Sequence, residues 1–223
     1  LANSPVDLDH VERHLDFLME REKWVDAERL AKKYLSADQS PRMALYLARV
    51  RELRNASGDD MAEVCGLLRE KLSQASTDDT RGYIDAIFWL IRCDSTIEPE
   101  QVKQLCLPRG QVLSMALYSQ ALSRNGMMEQ AFLAASEARD LVRPESSIEE
   151  LVHVARAFSD STEKGKQEAV SVWTTYLLPK EDPGPWLYQA FELAQDLDDE
   201  QFVRDVHKQL RRAGLTTPAI LEH

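Results

Sequence analysis

Residues 111–144 read QVLSMALYSQALSRNGMMEQAFLAASEARDLVRP, and this stretch decides the fold. Its apolar residues recur at helical spacing on either side of Asn125-Gly126. The pattern predicts a helix over Gln111–Arg124, a turn at Asn125-Gly126 and a second helix over Met128–Val142 that Pro144 stops. One such hairpin cannot bury its apolar faces alone, so it needs neighbours of its own kind.

Those neighbours are legible in both directions. Second helices anchored on Ala27, Val64, Val102, Ala131, Ala169 and Phe202 lie 37, 38, 29, 38 and 33 residues apart, 35 on average. The first hairpin joins about Asp7–Glu20 to Lys23–Ser36, with Val11, Leu15 and Leu18 on one stripe and Ala27, Leu30, Ala31 and Tyr34 on the other. After Ser40-Pro41, the second runs over about Met43–Arg54, turns at Asn55–Asp60 and continues to Gln74, with Asp60 and Glu63 as a capping box.

Asp78-Asp79-Thr80 opens the third pair, whose first helix (Tyr83, Ile84, Ala86, Ile87, Phe88, Trp89, Leu90, Ile91) is apolar nearly all round. Its partner, about Pro99–Leu107, is cut short by Pro108-Arg109-Gly110, which predicts a bend or an irregular repeat. The fifth pair spans Ser147–Ser159, with a Ser147/Glu150 capping box, and Lys166–Leu178. Past Pro179–Pro185, the last spans Trp186–Asp196 and Asp199–Arg212. The expectation is an all-α chain of about twelve helices, a single domain over residues 1–220, with Trp89 and Trp173 in the core.

The stretch Met115–Pro144 resembles the tetratricopeptide repeat, with Tyr118, Leu122, Gly126, Ala131, Ala135 and Ala138 in register. The first hairpin is similar through Val11, Leu15, Leu18, Ala27, Ala31 and Tyr34, and the last through Trp186, Ala190, Leu193 and Phe202. The fifth is similar through Leu151, Val154, Ala155, Phe158, Ala169, Trp173 and Tyr176, after a turn about two residues too long. The second departs at Lys71, where the family has a small residue, and the third has a truncated second helix. The resemblance implies a right-handed superhelical solenoid of about six antiparallel hairpins whose concave groove binds a peptide or protein segment.

Composition closes off other classes. The net charge of −11 opposes nucleic-acid and anionic-lipid partners. The longest apolar run, Ile84–Ile91, is broken by Asp85 and falls far short of the roughly 20 residues that span a bilayer. Cys65, Cys93 and Cys106 are odd in number and lack CxxC spacing, so they read as reduced thiols in a reducing compartment. That makes the expected location cytoplasmic, with a periplasmic one left open. Leu1 in place of an initiating Met, and a Leu221-Glu222-His223 end that looks like an affinity-tag remnant, suggest an expressed segment of a longer protein.

Candidate chemistry is sparse. His10 and His14 share a helix face in HVERH, but this is not the HExxH order of zinc proteases and no third ligand is evident. His153 and His207 read as packing or surface residues. No GxGxxG, phosphate loop or GxSxG occurs. Asp59-Asp60, Asp78-Asp79 and Asp198–Glu200 each sit at a helix start, where carboxylates satisfy free N–H groups. Arg204, Lys208, Arg211 and Arg212 read as a solvated face, and the Asn55-Ala56-Ser57 sequon as a chance triplet. No catalytic residue, cofactor or metal is expected.

The functional expectation is a non-catalytic scaffold that docks another protein. The alternative is a regulatory or targeting domain cut from a larger enzyme or a secretion or assembly protein. Carried over from the resemblance, the groove positions fall on Asp9, Glu12 and Asp16, then Leu47, Arg51 and Arg54, then Ile87 and Ile91, then Ala116 and Gln120, then Leu187 and Phe191. Relatives that clamp a C-terminal carboxylate use Lys and Asn there, a set this chain lacks. An acidic first hairpin beside apolar later ones would suit an amphipathic, partly basic segment. In the competing reading Ile87, Ile91, Leu187 and Phe191 pack against adjacent hairpins, and solvent exposure decides between the two.

Overall fold

Short polar residues start these helices by taking up N–H groups that have no intrahelical partner. Asp7 accepts from the His10 N–H at 3.2 Å to open α1 (Leu8–Glu20). The Ser147 hydroxyl and the Glu150 carboxylate cap each other's backbone to open α9 (Ile148–Ser159), the capping box expected there. Asp199 accepts from the Phe202 N–H at 2.9 Å to open α12 (Glu200–Arg212). The computed structural model describes residues 7–37, 40–55, 57–74, 82–94, 96–180, 184–197 and 199–215. Asp78, Asp79, Asp198 and the 221–223 end lie outside them.

Twelve α-helices and no strand occur among the described residues. Besides those three, they are α2 (Trp24–Tyr34), α3 (Arg42–Leu53), α4 (Gly58–Gln74), α5 (Tyr83–Cys93), α6 (Pro99–Cys106), α7 (Gln111–Arg124), α8 (Met128–Asp140), α10 (Glu163–Val172) and α11 (Leu187–Leu197). None is long and apolar enough to cross a membrane.

Two local readings need correction. The α4 cap is Ser57 with Asp60, three residues ahead of the expected pair: the Asp60 N–H donates to Ser57 Oγ at 3.2 Å and the hydroxyl donates back to the Asp60 carboxylate at 2.7 Å. Helix α10 starts at Glu163 rather than Lys166, because the Thr162 hydroxyl accepts from the Gly165 N–H at 3.0 Å. Gly165, inside this helix, is a close-packing position. A Cβ there would sit 2.2 Å from the Phe158 carbonyl oxygen, so only glycine lets α10 approach α9. The same segment then leaves α geometry: Trp173–Leu177 is a π-helical turn, closed by the Leu178 N–H on the Trp173 carbonyl at 2.8 Å.

The chain divides into two compact units, Leu1–Glu98 and Pro99–His223, so the boundary falls between the two helices read as the third pair. In the first unit α2 packs on α1 and α3, and α3 packs on α4 and α5. Its core includes Leu15, Ala27, Met43, Leu68, Leu90 and Trp89. In the second, α7 packs on α6, α8 and α9, α9 on α10, and α11 on α10 and α12. Its core runs through Ala131, Ala135, Phe158, Trp173 and Phe202. Trp89 and Trp173 are both buried, as expected.

The cysteine reading is also corrected. Cys65 on α4 and Cys93 on α5 form a disulfide with Cα atoms 6.6 Å apart, and Cys106 is a buried free cysteine whose thiol is pushed up to about 12 by burial. Packing of two helices joined the cysteines across 28 positions, a juxtaposition no local spacing motif records. The expectation of a reducing compartment loses its support.

Candidate functional site

The expected groove residues are, for the most part, already occupied by the fold. Leu47, Ile87, Ile91, Ala116, Leu187 and Phe191 are buried, and Phe191 stacks on the His207 ring at 5.3 Å between centroids. By the exposure criterion they pack inside the protein and offer no groove. Their helices are apolar on that stripe because the neighbouring helices cover it. Gln120 is buried as well, and its Nε2 donates to the His153 carbonyl at 3.3 Å.

The acidic residues of α1 face their own neighbour. Arg42 reaches Asp9 at 3.3 Å and Glu12 at 3.7 Å, and the Tyr46 hydroxyl donates to Asp16 at 2.9 Å. Burial, with Asp16 behind it, drives the Tyr46 hydroxyl well above the ordinary tyrosine value. His10 and His14 are exposed, and no group of three His, Cys, Asp or Glu side chains able to hold a metal ion occurs among the described residues.

Arg51 and Arg54 line a cavity of about 240 Å³ with Glu28 and Asp60. Arg51, only 3% exposed, contacts Glu28 at 3.4 Å and Glu63 at 2.9 Å, and donates to the Asp60 carbonyl at 2.6 Å. Arg54 also pairs with Glu28, which Lys32 reaches at 2.8 Å. The Lys32 hydrogen bond, seconded by Arg51 and opposed by burial, holds Glu28 below the ordinary glutamate value. The Ser57 hydroxyl does the same for the Asp60 carboxyl. Three cations, Lys32, Arg51 and Arg54, face three carboxylates, Glu28, Asp60 and Glu63, and the cluster ties α2, α3 and α4 together.

The second unit holds a different cleft, which sequence reasoning missed. Ala155, Arg156, Ser159 and Asp160 come from the end of α9, and Gln189, Glu192, Leu193 and Asp196 from α11. Trp173 completes the lining of a cavity of about 240 Å³. On α11 the buried face is Leu187, Ala190, Phe191 and Ala194. The polar positions 189, 192 and 196 form an adjacent stripe by helical spacing. That stripe was a signal available in the sequence. The π-helical turn that places Trp173 was not.

Three carboxylates and one guanidinium line this cleft. Glu192 and Asp196 are exposed, while Trp173 and Leu193, which also line the cleft, are buried. Burial pushes the Asp160 carboxyl above the ordinary aspartate value, and Arg156 opposes that. The Asp160 backbone is fixed, since its carbonyl accepts from the Ser123 hydroxyl of α7. Compared with known proteins, the chain matches no family model, no curated protein and no solved structure.

Proposed function

We propose that the protein is a non-catalytic interaction module of tetratricopeptide-like hairpins, which binds a peptide or protein segment through the α9–α11 face of its second unit. One observation supports this reading: an open cleft lined by side chains of α9 and α11, with one guanidinium and three carboxylates among them. Such groups do little for folding, and they are placed where an extended ligand reaches both helices. The apolar residues once assigned to a groove are core, so the interaction runs through polar walls.

The test is selection of peptides from a displayed library against the full chain, followed by mapping of the selected peptides by amide chemical shifts. Perturbations concentrated on α9, Trp173 and α11 support the reading. Selected peptides that all map elsewhere, or no selected peptide at all, overturn it. The Cys65–Cys93 bond supports an oxidising compartment. Peptide mapping under non-reducing conditions on protein isolated without reductant checks it: free thiols at both positions would restore the cytoplasmic assignment.

A further inference from the structure

The Cys65–Cys93 bond joins two residues in unequal surroundings, and the inequality gives its chemistry a direction. Cys65 lies in the middle of α4 and is 5% exposed, while Cys93 is the last residue of α5 and is partly exposed. Thiol–disulfide exchange is the attack of a thiolate on one sulfur of the bond, and access decides which sulfur is taken. A thiolate arriving from solvent meets the Cys93 side. The Cys65 sulfur is then the leaving group, and it stays inside the protein.

The helix pair does not depend on this bond. Helix α4 packs on α5, with Val64, Leu68 and Leu72 of the first and Ile87, Leu90 and Ile91 of the second all buried. One turn beyond Cys65, Arg69 pairs with Asp94, the chain neighbour of Cys93, and donates to Thr96 Oγ1 at 2.7 Å. Helix α5 is also tied to α3, through Arg49 and Asp85 at 3.2 Å and through Arg92 and Glu52 at 2.9 Å. Opening the disulfide therefore leaves both thiols near each other, one accessible and one sheltered. In such a pair the accessible cysteine reacts first and its neighbour resolves the product.

We propose that Cys65 and Cys93 form a reversible thiol–disulfide site for a low-molecular-weight thiol and its disulfide, entered at Cys93 and resolved by Cys65. The site stands apart from the interaction reading above. In the reducing direction a small thiolate, RS−, attacks Cys93 Sγ, forms the Cys93–S–S–R bond and expels the Cys65 thiolate. A second RS− attacks the R sulfur, which releases RSSR and the Cys93 thiolate. The protein thiolates take up the two protons that the small thiols gave up, and two electrons have passed to the protein. In the oxidising direction the Cys93 thiolate attacks RSSR and expels RS−. The Cys65 thiolate then attacks Cys93 Sγ and expels the second RS−. Cys106, fully buried in the second unit, takes no part.

The experiment incubates the full chain with graded ratios of reduced to oxidised glutathione, quenches with acid, alkylates the free thiols and maps the peptides by mass spectrometry. The wild type is expected to pass reversibly between dithiol and disulfide with its helical circular dichroism retained. Oxidised glutathione should leave a stable adduct on Cys93 in Cys65→Ser, formed at least about tenfold faster than any adduct on Cys65 in Cys93→Ser. Pulsed alkylation of the reduced wild type gives the same ordering without a substitution, Cys93 ahead of Cys65 and Cys106. Equal rates at Cys93 and Cys65, or a faster Cys65, overturn the assignment of the entry sulfur. Loss of the helical signal on reduction overturns the reversible site, since the fold would then need the bond. A dithiol that oxidised glutathione fails to close at any ratio overturns it as well.

Discussion

Two cavities of about 240 Å³, one in each unit, are lined by the same kinds of side chain and do opposite things. The first-unit cavity sets Arg51 and Arg54 against Glu28 and Asp60, with Lys32 and Glu63 in contact, and its charges are spent on one another. The second-unit cleft sets one Arg156 against three carboxylates, two of them at helix C-terminal ends. Charge density alone therefore does not mark a binding site. The useful question is whether the chain supplies its own counter-charges.

The hardest blow to the second-unit cleft is to remove its floor. Trp173 is 2% exposed and fills space between α9, α10 and α11. Trp173→Ala is expected to cost about 3–5 kcal/mol, from lost burial and the void left behind. Urea unfolding measures it, and a loss below about 1 kcal/mol would mean the π-helical turn repacks and the cleft has no fixed floor.

Acid separates the two regions next. His153 on α9 is buried, and burial, seconded by the positive Arg156, lowers its value to about 3 from 6.5. The unfolded chain therefore binds a proton that the folded one refuses. Stability is full above pH 6.5 and falls as pH drops towards 3. Going from pH 7 to 4.5 should cost roughly 2.5 kcal/mol on this account, and His153→Gln should abolish most of that slope. Glu28 in the first unit, depressed by Lys32, contributes stability above about its ordinary 4.5 that is lost only on further acidification. Hydrogen exchange followed residue by residue should show α9 amides responding first. A simultaneous onset at Arg51 and His153, or a slope unchanged in His153→Gln, breaks this ordering.

Much of this was legible in the chain. Gln111–Arg124 is a helix with those bounds, and the turn and second helix follow where Asn125-Gly126 and Ala131 put them. The periodicity that reveals helices also reveals buried stripes, because both have the same period. It does not say which residues of a first helix face a neighbour and which face water. Ile87, Ile91, Leu187 and Phe191 carry the same signal in either role, and packing decided it. Arg51 misled for a different reason: its counter-charges, Glu28 and Glu63, lie on other helices. The cleft was half legible, in the stripe Gln189, Glu192 and Asp196. Its other half depends on the Gly165 contact and on the π-helical turn, which have no local sequence signature.

The first-unit cavity is broken by a smaller change. Arg51→Ala removes a guanidinium that is nearly all buried, and the penalty would reach about 3–5 kcal/mol if a buried carboxylate were stranded. Glu28 is not stranded, since Lys32 and Arg54 remain, and Glu63 is more than half exposed. The expected loss is therefore about 2 kcal/mol, read from denaturant midpoints. A loss near zero would mean the network is only a surface feature, and the contrast between the cavities would collapse.

The smallest expected effect is the sharpest test of the comparison. Glu192→Gln with Asp196→Asn removes two exposed charges from the second-unit cleft and leaves shape nearly unchanged. If those carboxylates held the fold, as Glu28 does, the double variant should lose stability. On the present account they have no structural task. Asp196 opposes the α11 helix end and follows Glu192 by one helical turn, so neutralising both relieves more than it removes. The expected change is within about 0.5 kcal/mol of zero, and on the stabilising side at low salt. Thermal and urea unfolding at two ionic strengths decide it. A loss above 1 kcal/mol would make the second cleft another internal charge network, and the distinction between the two regions would be one of degree only.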